Sequence, residues 1–130
     1  VMRHHHIYIN YFIKRGRSFV YAWQGIVSLF GNEPNARIHL CVALLVVAAG
    51  FFFNISASEW CLVTLCIGGV FMAEAFNTAI EKLCDKVSPQ TDSLIKIAKD
   101  VAAGAVLLFV FAAVAVGLIV FLPKIIVFFS

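Results

Sequence analysis

Four polar residues in one stretch have the types and the spacing to do chemistry. Glu74, Asn77, Glu81 and Asp85 follow one another at intervals of three, four and four residues. On a continuous helix these intervals stack side chains on one face. At about 100° per residue the four fall within an arc of about 80°, and Glu74 stands about 16 Å from Asp85 along the axis. An apolar run from Trp60 to Met72 precedes them. The stripe therefore starts inside an apolar region and runs out of it. A carboxylate in such a region is costly and points to function. Held deep, it can accept a proton from a hydroxyl. Nearer water, carboxylates can take a hard divalent cation, and a lysine beside them can take a phosphate.

Further polar residues belong at the same depth. Glu33 sits at a corner before Pro34, and Lys99 and Asp100 open a later helical stretch. With Glu81 and Asp85 they form an interfacial group, and Glu74 lies about 10 Å deeper, two turns along. Metal, phosphate cradle and oriented nucleophile are the parts that phosphoryl transfer needs. No Gly-rich phosphate loop occurs in the chain, which excludes a soluble-type kinase site. The alternative from another class is a small proton- or ion-conducting membrane protein, since such a pathway also places carboxylates in a membrane. Structural alternatives stand beside each residue: an interhelical hydrogen bond for Asn77, a solvated helix end for Asp85, a helix-dipole partner for Glu33.

The elements that must position these groups follow from where charge is absent. Of 130 residues, 62% are hydrophobic and 13% charged, well away from the balance of a soluble domain. The charges avoid Leu40–Ile55, Trp60–Met72 continued by Ala75–Ile80, and Val101–Leu122. Each approaches the ~20 residues that cross a bilayer. The sequence predicts an all-α integral membrane protein, a single domain over 1–130. An N-terminal amphipathic surface helix spans 7–31, and transmembrane helices span 36–55, 59–83 and 94–122. Gly68-Gly69 and Ala102-Ala103-Gly104-Ala105 offer close helix approach, and Leu122-Pro123-Lys124 ends the third span.

Arg3, Lys14, Arg15, Arg17 and Arg37 precede the first span, Lys82, Lys86, Lys96 and Lys99 lie between the second and third, and the 54–59 loop has no Lys or Arg. The positive-inside rule puts the N-terminus and the 82–99 loop in the cytoplasm, and Lys124 outside. Basic residues placed beside spans argue against nucleic acid as a partner. No secretory signal pattern is visible. Cys41, Cys61, Cys66 and Cys84 lack metal-site spacing and read as buried thiols. His4-His5-His6 reads as a metal-binding run, an expression remnant or a solvated tail. Lys14 or Arg17 reads as a surface anchor or as a phosphate partner.

At these residues the chain resembles the prokaryotic diacylglycerol kinase family of small membrane lipid kinases. The resemblance rests on Glu74-x-x-Asn77-Thr-Ala-Ile-Glu81-x-x-x-Asp85 and on Ala98-Lys99-Asp100-x-Ala-Ala-Gly-Ala-Val106, with Tyr21-x-Trp23-x-Gly25 and Asn32-Glu33 upstream. It covers about residues 12 to 124. It implies a homotrimer with active sites shared between neighbours, in the inner (cytoplasmic) membrane of a bacterium. It implies ATP- and Mg²⁺-dependent phosphorylation of a lipid hydroxyl. Glu74 would be the general base and Asn77 would position the reacting groups. Glu33 and Glu81 would hold Mg²⁺ with ATP. Arg17, Tyr21, Gln90, Thr91, Asp92, Lys99 and Asp100 would contact the nucleotide, with Asp85 as support. Glu33-x-Asn35-x-x-x-His39, Glu59-Trp60, Gly68-Gly69-x-Phe71 and Gly117-Leu-Ile-x-Phe-Leu-Pro-Lys124 look more like the undecaprenol kinase branch, so undecaprenol is favoured over diacylglycerol. His39 itself is expected to be an interfacial polar residue. Gln90-Thr91-Asp92 departs from the loops of either branch.

Overall fold

Pro34 has no N–H to donate, so it suits the first turn of a helix, where that donor would have no partner anyway. The chain changes element there. The computed structural model describes residues 2–90 and 92–130, with side chains from Ile7 onward. It divides into two units, Val1–Glu33 and Pro34–Ser130.

The first unit is one helix, α1 (Met2–Asn32), which contains the 7–31 segment. Its end closes locally: Glu33 N–H donates to Leu29 O at 3.0 Å, and the Asn32 amide donates to Ser28 O at 3.0 Å. Basic and aromatic side chains interleave along it. The Arg15 guanidinium lies 5.0 Å over the Tyr11 ring, within cation–π range.

The second unit holds three helices: α2 (Pro34–Phe52), α3 (Ala57–Val87) and α4 (Ser93–Phe129). All three are long and apolar enough to cross a membrane. α3 packs against both α2 and α4. The turn between α2 and α3 is written in the local sequence. Asn54 takes φ 50°, Ile55 N–H donates to Gly50 O at 3.1 Å, and Asn54 N–H donates to Phe51 O at 3.3 Å. That is a Schellman ending, with Asn in the left-handed position it tolerates best after Gly. Ser56 then caps α3, its hydroxyl accepting from Glu59 N–H at 3.2 Å. Ile55, the residue between the two caps, is buried with Val63, Val120 and Phe121.

This apolar cluster ties the helix ends on that side. Phe53 and Phe121 rings stand 6.3 Å apart, and Phe51 and Trp60 4.9 Å. A Cβ at Gly50 would lie 2.6 Å from Trp60 Cη2, so the indole packs where only glycine fits. Lys124 of α4 joins Glu59 of α3 at 2.7 Å and also donates to Val120 O at 3.2 Å. Of the two small-residue stretches expected at helix contacts, Gly69 faces the Phe109 ring of α4 and Ala102 is buried, whereas Gly68 and Gly104 face open space within this chain.

One expectation needs correction. The helical backbone does not stop at Pro123 but runs on to Phe129, with the proline inside it. A proline removes one backbone donor, and the residues on either side keep theirs, so a strongly apolar helix can carry it. Beyond it, Phe128 packs against Phe52, the last residue of α2, and against Phe53 just after it, with ring centroids 5.6 and 6.2 Å apart.

Candidate active site

The polar stripe lies on α3, and burial separates its members. Glu74 is 3% exposed and Asn77 5%. Glu81 is half-buried and Asp85 exposed. The helix thus carries its acids from a dry level to a wet one over about 16 Å. Asn77 Nδ2 reaches Glu81 Oε1 at 3.4 Å, a long hydrogen bond that leans the amide toward the lower carboxylate. Among the described residues, no partner lies within hydrogen-bond distance of Asn77 Oδ1 or of Thr78 Oγ1, and both atoms are buried. Unsatisfied buried acceptors and hydroxyls are uncommon, and each calls for an explanation in strain, function, water or an ion.

Two neighbours bring charge and hydrogen bonding to the stripe. From α4, Lys99 Nζ binds Asp85 Oδ1 at 2.8 Å. From α2, His39 Nε2 stands 3.8 Å from Glu74 Oε2. His39 also lines a cavity of about 200 Å³ whose other walls are apolar, among them Val42, Val46, Ile67, Val70 and Val114. A buried acid, a ring nitrogen and a hydrocarbon-lined space therefore meet at one level.

The other expected site residues are distributed as follows. Asp100, adjacent to Lys99, pairs with Lys96 at 2.5 Å one turn back on α4. Asp92 is the N-cap of α4, with Oδ1 accepting from Leu94 N–H at 2.9 Å and Ile95 N–H at 3.1 Å. Gln90 is exposed, and its carbonyl accepts from the Ser88 hydroxyl at 3.1 Å. Thr91 and the side chains of His4–His6 lie outside the described residues. Arg17, Tyr21 and Glu33 belong to the first unit, where Arg17 and Tyr21 are exposed along α1 and Glu33 follows its last turn. Lys14 shares a surface hollow there with Tyr11, Arg15 and Ser18.

Thr78 escaped sequence reasoning, and His39 was read there only as an interfacial polar residue. Thr78 is four residues after Glu74 and so falls on the same face. The signal was present, but a threonine among apolar residues reads as ordinary helix filling. His39 left no such signal, because periodicity along α2 does not say which residue of α3 lies at its level.

The donor set suits Mg²⁺ in kind. Glu81 offers a half-buried carboxylate, and Mg²⁺ takes one or two carboxylates with phosphate and water completing its shell. Among the described residues no three His, Cys, Asp or Glu gather as a metal cage.

Comparison with known proteins adds to this geometry. The family model for prokaryotic diacylglycerol kinase matches residues 20–121. The undecaprenol kinase of Bacillus subtilis is 41% identical over 116 residues, which is 89% of this chain and 92% of that protein. A diacylglycerol kinase of Synechocystis is 40% identical over 107 residues, 82% of this chain and 61% of the relative. The diacylglycerol kinase of Escherichia coli K12 is 29% identical over 94 residues, 72% and 77% of the two chains.

Proposed function

This chain belongs to the prokaryotic diacylglycerol kinase family, a family of membrane lipid kinases, and on that premise we propose that it transfers the γ-phosphoryl of ATP to the hydroxyl of a membrane lipid. The observation that carries the reading is Glu74: a carboxylate 3% exposed, in an apolar helix, on the face that leads down to Glu81. An acid held that deep without a task would only destabilise the fold.

Glu74 accepts the proton of the lipid hydroxyl as its oxygen attacks phosphorus. Asn77 positions the reacting groups through its amide. Lys99, supported by Asp85, faces phosphate charge. Asp100, Tyr21, Arg17 and the Gln90–Asp92 loop form the nucleotide's surroundings. Glu33 and Glu81 are the residues that would hold Mg²⁺ with ATP. When bound, that ion neutralises charge building on the phosphate oxygens.

Undecaprenol is the favoured substrate over diacylglycerol. Support comes from the more extensive likeness to an undecaprenol kinase and from the apolar cavity that His39 lines. A polyprenol presents hydrocarbon directly behind its hydroxyl, whereas diacylglycerol brings ester carbonyls that such walls leave unpaired. Residues 1–130 act as one lipid-kinase domain in the inner (cytoplasmic) membrane of a bacterium. The N-terminus and the 82–99 loop face the cytoplasm, where ATP is. α1 lies on that membrane surface, and three copies assemble with shared sites.

The test is transfer of labelled γ-phosphate to undecaprenol and to diacylglycerol in mixed micelles, with purified protein. Label in undecaprenyl phosphate, with less in phosphatidic acid, is the expected result. No label in either lipid overturns the reading.

A further inference from the structure

We propose that His39 is a second catalytic residue of this site, a hydrogen-bond donor that holds the lipid hydroxyl against Glu74. The inference rests on the kinase reading above and deepens it. Its basis is a juxtaposition of α2 and α3. His39 Nε2 lies 3.8 Å from Glu74 Oε2, with the two side chains 22% and 4% exposed. The separation is too long for a direct hydrogen bond and too short for a solvated gap between strangers. An oxygen about 2.8 Å from each atom bridges it with an angle of about 85°, and side-chain rotation opening the gap by less than about 1 Å gives the tetrahedral angle. One hydroxyl can therefore donate to Glu74 Oε2 and accept from His39 Nε2–H at once.

The cavity indicates where the rest of that molecule lies. His39 forms part of its wall and is the one lining residue with a side-chain nitrogen. Its remaining lining is hydrocarbon, apart from the Cys66 thiol. A lipid alcohol entering this space with its chain along Val46 and Ile67 brings its hydroxyl to the His39 end. The hydrogen bond from His39 fixes one lone pair, the O–H bond points at Glu74, and the second lone pair is left for phosphorus. In the step itself the lipid O–P bond forms, and the bond from the γ-phosphorus to the bridging oxygen breaks. ADP leaves with that electron pair, and the hydroxyl proton passes to Glu74. His39 neither gains nor loses a proton.

The experiment compares wild type, His39→Leu and His39→Gln for phosphate transfer to undecaprenol and to diacylglycerol in mixed micelles. His39→Leu fills the same space without a donor and is expected to lower kcat about 10²-fold, the usual cost of one positioned donor. The KM for ATP should stay within about twofold. His39→Gln, which keeps an N–H, is expected to recover most of the loss. A second readout uses wild type labelled with ¹⁵N at histidine, the His39 signal assigned by its loss in His39→Gln. Undecaprenol without nucleotide should shift the Nε2 resonance, and the hydrocarbon squalene should not. Full turnover in His39→Leu, a His39→Gln no better than the leucine variant, or equal shifts with alcohol and hydrocarbon overturns the role of His39. It leaves the kinase reading intact. A wild type that labels neither lipid overturns both.

Discussion

At the scale of single residues, the site is a gradient of burial along one helix face. Glu74 and Glu81 are both glutamates seven residues apart, yet one is buried and the other half-open to water. Environment, not chemistry, would divide the roles proposed for them: a dry acid suits a base, and a wetter one can reach a cation. Glu74→Gln keeps shape and hydrogen bonding but cannot take a proton. Turnover is expected to fall by about 10²–10⁴-fold, read as phosphate transfer, while the oligomer seen by size exclusion stays unchanged. Thr78 makes a separate prediction. Its buried hydroxyl has no partner among the described residues, which costs about 1–3 kcal/mol unless something in the working enzyme completes it. Thr78→Val, of the same shape, should raise the unfolding temperature of the nucleotide-free protein. If the hydroxyl serves the reaction, the same variant slows phosphate transfer.

At the scale of elements, α3 is the helix on which both neighbours rest, and its two glycines give a matched test. Phe109 occupies the space where a Gly69 side chain would be, while nothing in this chain lies near Gly68. Gly69→Ala is expected to cost about 1–3 kcal/mol through forced separation of α3 and α4. Gly68→Ala should be neutral or slightly stabilising, as helix propensity favours alanine. Unfolding in detergent followed by circular dichroism separates the two. The helices themselves were legible in the sequence, because a span leaves a gap in the charges about as long as a bilayer is thick. The glycines of contact were half legible: small residues announce close approach, but which of a neighbouring pair faces the partner depends on helix rotation. The continuation through Pro123 was not legible, since the rule that proline ends helices is a soluble-protein tendency, and this end is held by Phe128 against α2. His39 beside Glu74 was hidden for a related reason. Vertical alignment of two helices is set by packing, and neither sequence period carries it.

At the scale of the whole molecule, the sites at either level of the second unit are stabilised in different ways. One level has an apolar cluster closed by Glu59 and Lys124. The other has Asp85 and Lys99 beside the polar stripe. Glu59→Gln and Lys124→Met should each lower the thermal midpoint without altering the KM for ATP, and the double variant should fall little further than either alone. Equal and additive losses would mean that the pair does not interact. Much apolar surface stays uncovered: Leu108, Phe111 and Ile119 of α4 are all exposed. Lipid or further copies of the chain must cover it. Cross-linking in native membranes is expected to give a ladder ending at three, and a ladder ending at two would reject the proposed trimer.

The placement of Glu74 and Asn77 midway along α3 also bears on how the protein is made. A carboxylate near the centre of a segment opposes its partition from the translocon, where acidic and basic residues at such positions cost about 2.5–3.5 kcal/mol. Between Asp100 and Lys124, α4 carries no charged residue. A nascent chain halted on the ribosome just after Gln90 is therefore expected to hold α3 poorly, and the two helices to enter the bilayer together as a hairpin.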